Sequence, residues 1–192
     1  MKGKGSAVLM AAGICLGLVG LVLAGVFYLR AQQGQAHSRQ IAAQLENILP
    51  ERSDGVAGLY PEAGMPVLQL DGADYVALVE VPGFGVTLPV ADQWDSSRLD
   101  SCPARFCGSA YTPGLVIGGS QQQFIFCGQV DIGAEVTVTD MTGAEFTYTV
   151  ARVDRSDHAS AQWLTGDGWD LTLFCHDVYA MQYIAVRCTK RP

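Results

Sequence analysis

Leu171, Thr172, Leu173, Phe174, Cys175, His176 and Asp177, followed closely by the run Tyr183, Ile184, Ala185, Val186, Arg187 and Cys188, form the stretch on which the reading of this chain turns. Both runs are apolar, rich in β-branched and aromatic residues, and short enough for strands. Side chains alternate faces along a strand, so Thr172, Phe174 and His176 share one side while Leu173 and Cys175 share the other. Cys175 is therefore expected to point with the leucine into a core. His176, its neighbour, points the opposite way and is poorly placed to lower its pKa.

Working outward, similar runs recur at Tyr75 to Val81, Gly85 to Val90, Leu115 to Gly118, Glu135 to Asp140 and Glu145 to Val153, separated by turn formers such as Pro82 and Gly83. Met141, Thr142, Gly143 and Ala144 join two of them as a hairpin. Seven or eight short strands with few helices predict a mainly β fold, a single closed barrel.

The order of these segments resembles the sortases, membrane-anchored cysteine transpeptidases, and most of all their class B-like members. The resemblance rests on Tyr75 to Pro82 with Thr87, Leu88, Pro89 and Val90; on Arg105 to Tyr111 with Leu115 to Gly119; and on Trp169 to Phe174 with Val186, Arg187 and Cys188. It implies a sortase-like barrel and a chemistry in which a cysteine attacks a sorting signal, a histidine moves protons and an arginine stabilises the oxyanion.

At those three positions this sequence differs. The segment that the family closes with histidine ends here in Gly119 and Ser120, and serine cannot shuttle protons near neutral pH as imidazole does. An ungapped match puts His176 at the cysteine position, Cys175 at the preceding threonine and Tyr183 at the arginine. The resemblance thus implies a catalytically impaired domain that keeps its groove for peptide binding or scaffolding, with sorting-signal peptides or an active sortase as partners. The alternative is an active cysteine transpeptidase or hydrolase that uses Cys175 as nucleophile, which a single gap restores to its place, with Arg187 as oxyanion donor. Arg187 lies four residues from Tyr183, roughly 13 Å at strand rise, and does not simply replace a donor there. Ser120 with His176 has the residue types of a hydrolytic pair but no visible orienting group. His158, in a polar loop, reads as solvent-exposed.

The N-terminal region divides into a short cytoplasmic terminus, 1–6, an uncharged apolar run from Ala7 to Leu29 and an amphipathic stretch, 30–49, with Ile41, Leu45, Ile48 and Leu49 on one face. About 23 apolar residues suffice to cross a bilayer as a transmembrane helix and exceed the core of a cleaved signal peptide, roughly 7 to 15 residues. Residues 30–49 are expected to be a juxtamembrane helix leading away from the membrane, 50–73 a linker and 74–192 the barrel. The resemblance implies a single-pass protein of a Gram-positive-type surface with its C-terminal domain extracytoplasmic.

Beyond Arg30 there are nine basic and 19 acidic residues, 9 − 19 = −10, so no basic surface for nucleic acid exists. Cys15 falls in the apolar run, and Cys102, Cys107, Cys127, Cys175 and Cys188 in the barrel, too many to pair fully. Cys102 and Cys107 can form a local disulfide or remain buried thiols. With His37, His158 and His176 scattered and no zinc-knuckle spacing, neither a metal nor another cofactor is expected.

Overall fold

Every residue of β6 (Leu115–Gly118) and the first five of β9 (Leu171–Asp177) are buried, because these two parallel strands lie at the middle of the sheet with both faces covered. The computed structural model describes the backbone of residues 3–54 and 64–191, and their side chains except those of 3–12, 27 and 30–32. Around β6 and β9 run β3 (Ala73–Val81), β4 (Val86–Ala91), β5 (Ala104–Cys107), β7 (Glu135–Asp140), β8 (Ala144–Ser156) and β10 (Gln182–Lys190). Their order is β8, β10, β9, β6, β5, β4, β3, β7, and β7 pairs again with β8, closing an eight-stranded barrel. Val79, Val136, Phe146, Leu173, Cys175 and Val186 are among the residues that fill it.

Two short strands lie in the segment expected to be a linker. β1 (Ser53–Asp54) runs parallel to the start of β8, and β2 (Leu68–Leu70) pairs with β3. Arg52 holds β1 down, with Nη1 2.8 Å from Glu80 and 3.3 Å from Glu145. The ordered fold thus extends outside 74–192 on its N-terminal side. Residues 55–63 of the expected linker lie outside the described residues.

The β7–β8 hairpin turns at Met141, Thr142 and Gly143. The carboxylate of Asp140 accepts from Thr142 N at 2.8 Å, Thr142 Oγ1 at 2.7 Å and Ala144 N at 3.0 Å, and also from the Tyr111 hydroxyl. Gly143, at φ 83°, supplies the left-handed residue that the tight turn needs. A fully buried aspartate is tolerated here because donors surround it.

The N-terminal helix, α1 (Gly3–Ile48), is continuous. Its last part does not lead away from the barrel: Ile41, Ala42 and Leu45 pack against Tyr75, Leu78 and Met141, whereas Ile48 is exposed. Among the described residues no helix is long and apolar enough to cross a membrane, and the side chains of 7–12 in the expected span lie outside them. α2 (Ala161–Thr165) is one turn, started by Ser160, whose Oγ accepts from Trp163 N.

Candidate functional site

The antiparallel ladder between β9 and β10 sets His176 opposite Tyr183, Phe174 opposite Ala185 and Thr172 opposite Arg187. Opposed residues project to the same side, so these three rows form the outer face of the barrel. The inner face carries Cys175 with Ile184, Leu173 with Val186, and Leu171 with Cys188, all in the core. The side-chain parity read from the sequence thus matches the packing: Cys175 is 2 % exposed and packs beside Leu173.

Each outer row has a different cover. At one end α2 lies over Arg187. In the middle Trp94 stacks on Phe174 at 5.5 Å between ring centroids, and Phe106 meets both rings edge-on. Gly118 makes room for this stack, since a Cβ there would lie 2.5 Å from Trp94 and 2.7 Å from Phe174. At the other end the face opens into a cavity of about 370 Å³, where Ser120, His176 and Tyr183 meet Trp94, Leu99 and Asp100.

Ser120, His176 and Tyr183 therefore line one cavity. His176 and Tyr183 lie ring to ring at 4.6 Å. Ser120 starts the turn after β6: its carbonyl accepts from Phe124 N at 2.9 Å, while its buried Oγ has no hydrogen-bond partner. No hydrogen bond joins that hydroxyl to His176, so the serine–histidine pair is not assembled. Gln121 fixes the rim, donating to Asp177 at 2.9 Å and accepting from Val178 N at 3.2 Å. Asp177 is held below the usual carboxylate range mainly by the amide of Ala180, with Tyr179 N and Gln121 adding to it.

Cys175 lies in the cavity wall between Phe174 and His176, but its side chain packs in the core cluster that also holds Cys127, on the 3-10 turn Ile125–Gly128. Cys127 draws the Cys175 thiol down against the opposing effect of burial, while burial pushes Cys127 well above the ordinary thiol value. Arg187 is 2 % exposed and committed elsewhere: Nε to Asp154 at 3.1 Å, Nη1 to Leu164 O at 2.8 Å and Thr172 Oγ1 at 3.1 Å, Nη2 to Trp163 O at 2.6 Å. It fastens α2 to the sheet instead of facing the cavity. His158 is exposed in its loop. Cys102 and Cys107 are both free thiols, and Cys102 donates to Pro89 O at 3.1 Å.

Among the described residues lining the cavity there is no lysine or arginine. An imidazole and a phenol beside an indole form a surface suited to an extended peptide, since polar tips can take backbone groups and the rings can take an apolar side chain. Sequence reasoning missed Trp94, Leu99, Asp100 and Gln121, which come from loops. The one signal was Trp94 itself, a large aromatic in a polar run.

No protein-family model and no curated protein match this chain. Solved structures do. Sortase C1 of Streptococcus agalactiae superposes with a TM-score of 0.56 at 18 % identity, over 65 % of this chain and 72 % of the other. Sortase A of Corynebacterium diphtheriae gives 0.55 at 19 %, over 85 % and 84 %. A sortase D5 transpeptidase of Clostridium perfringens gives 0.55 at 15 %, over 62 % and 79 %. The fold is that of the sortases. The class B-like subdivision expected from the sequence finds no support in these names.

Proposed function

We propose that the chain is a membrane-anchored, extracytoplasmic sortase-fold domain that binds peptide without carrying out transpeptidation, its ligands being sorting-signal peptides of surface proteins or a segment of an active sortase. The observation that carries this reading is the split between cavity and sulfur. Ser120, His176 and Tyr183 line the cavity where the family resemblance expects histidine, cysteine and arginine, while the nearest thiol packs in the barrel core. A transpeptidase needs a nucleophile, a proton shuttle and an oxyanion donor converging on one carbonyl, and loss of each removes orders of magnitude of rate. The class B-like character of Tyr75 to Pro82 and Thr87 to Val90 belongs to the same proposal.

Anchoring draws on α1, where Leu16, Leu18, Leu21, Val22, Leu23 and Leu29 are each more than half exposed on a continuous helix. Apolar surface spread over this length is stable in lipid and not in water. The same reading puts the domain on a single span at a Gram-positive-type surface, which the exposed apolar side chains of α1 and the sortase fold support.

A second reading, catalysis by Cys175, draws on its lowered thiol pKa. The two are separated by incubating the detergent-solubilised chain with sorting-signal peptides and an amine acceptor, following binding by fluorescence anisotropy and cleavage by mass spectrometry. Binding without cleavage is expected, unaffected by Cys175→Ala and weakened roughly tenfold or more by Trp94→Ala or Tyr183→Ala, as for central aromatic anchors. Cleavage that vanishes in Cys175→Ala overturns the binding-only reading.

A further inference from the structure

The turn that joins β9 to β10 carries three apolar side chains into solvent: Tyr179 is 91 % exposed, Met181 70 % and Val178 56 %. Ile125, 59 % exposed, lines a small cavity together with Asp177 at the base of this turn. Apolar residues clustered in this way mark an interaction surface. The turn holds them out. Asp177 accepts from Tyr179 N at 3.0 Å, from Ala180 N at 3.2 Å and from Gln121 at 2.9 Å. Met181 sits at φ 53°, a left-handed conformation that residues with side chains seldom take. With the backbone fixed by these bonds, the three side chains do not fold back onto the barrel.

The course of α1 shows what lies in front of this surface. Its Ile41 and Leu45 share a cluster with Met141 of the β7–β8 turn, and just beyond the helix Pro50 O would stand 3.0 Å from a Cβ on Gly143 of that turn. Followed back toward its N-terminus, the helix reaches the other end of the barrel, where Gln35 donates to Gln122 O at 3.3 Å. The next residue, Gln121, is the one bonded to Asp177 and Val178 at the base of the apolar turn. Gln35 is six residues beyond Leu29, a rise of about 9 Å, so the apolar run begins just past this end of the barrel.

We propose that Val178, Tyr179 and Met181, with Ile125 beside them, dock at the boundary of headgroups and acyl chains of the bilayer that holds α1, giving the barrel a second, reversible point of attachment. The docking rests on the anchoring proposed above. Tyrosine suits that layer, since its ring is apolar and its hydroxyl tip wet, and methionine and valine add apolar area. Charge does not decide the matter. Arg39 and Arg155 flank Ile125 without an ion pair or hydrogen bond among the described residues, but Asp100, Asp157 and Asp177 stand at the same end and oppose them. The apolar side chains therefore carry the contact, and neutral lipid suffices for it. One helix leaves the barrel free to tilt and turn; a second contact fixes its orientation on the membrane.

The test reconstitutes the full chain in nanodiscs of phosphatidylcholine, some of it carrying a diazirine at the glycerol end of one acyl chain. Irradiation followed by mass spectrometry maps the lipid adducts, and hydroxyl-radical footprinting of the same discs measures the exposure of Tyr179 and Met181 against the chain in detergent. Adducts are expected on α1 near Leu29 and on Val178–Met181, none on the turn at Met141–Gly143, and both Tyr179 and Met181 should be protected from radicals. Tyr179→Ser combined with Met181→Ser should lower adducts on the turn roughly tenfold while leaving those on α1 and the melting temperature unchanged. Adducts on α1 with none on the turn overturn the docking and leave the anchoring standing. Absence of adducts on α1 overturns the anchoring and the docking with it. Protection of Tyr179 and Met181 without lipid adducts means that a second copy of the chain covers the turn, and it too overturns the proposal.

Discussion

Replacing Arg187 by alanine removes a cation that is 2 % exposed and leaves its surroundings unequally provided for. Asp154 keeps a partner, since Arg152 Nε stands 2.7 Å from its other oxygen. The carbonyls of Trp163 and Leu164 and the Thr172 hydroxyl lose their donor, and Trp163 loses the guanidinium stacked 4.9 Å from its ring. Breaking a buried charged network costs about 3 to 5 kcal/mol, and the partner retained by Asp154 points to the lower end, about 3 kcal/mol. For a chain of this size each kcal/mol moves the melting temperature by roughly 3 °C, giving a fall of about 9 °C. Arg187→Met, which keeps the packing of the stem but not the donors, should lose about 2 kcal/mol. Urea denaturation and thermal melting of residues 30–192 measure both. The reasoning is refuted if Arg187→Ala costs under about 1 kcal/mol, or if it weakens peptide binding while leaving stability unchanged, since the latter would place the guanidinium at the cavity.

Gly118→Ala forces a methyl group into the Trp94 and Phe174 rings, whose contact distances leave no room; a loss of about 1 to 3 kcal/mol and a shifted tryptophan emission are expected, with weaker peptide binding as the indole leaves the cavity wall. Unchanged emission would mean that the stack is not what the glycine accommodates. Asp177 has a folded pKa lowered below its ordinary 3.8 by Ala180 N, Tyr179 N and Gln121. Its contribution to stability is fully present above that ordinary value and lost as pH falls through the lower folded one. Asp177→Asn should therefore flatten the stability profile below about pH 4. An acid limb as steep as in the parent chain counts against this assignment.

The barrel was legible in the sequence wherever a strand is long or wholly buried. Leu115–Gly118 and Glu135–Asp140 coincide with their expected bounds, because β6 sits under cover on both faces and β7 ends at the turn that Asp140 organises. β5 escaped notice. Ala104 to Cys107 is four residues after a proline, and its place depends on pairing with β6 and at one position with β4, neither of which leaves a periodic mark. Strand parity placed Cys175 inward because alternation is local geometry. What packs around Cys175 was not legible, since Cys127 joins the same core through tertiary packing of a 3-10 turn. The amphipathic face at Ile41 and Leu45 was visible, but its destination was not, as periodicity says that a face is covered and not by what.

One close approach on α1 bears on which molecules could reach the cavity. Gly34 lies so near the Asp100 carbonyl that a Cβ would come within 2.3 Å of its oxygen, and Gln35 donates to Gln122 O at 3.3 Å; Asp100 and Gln122 both line the cavity. Gly34 is only five residues beyond Leu29, where the apolar run ends, a rise of about 8 Å along a helix. Under the proposed anchoring, the cavity stands within a lipid headgroup's thickness of the bilayer. A peptide tethered at the same membrane meets it at high local concentration, whereas a free one must find it by diffusion, so the position of this glycine selects ligands by their attachment as well as by their sequence.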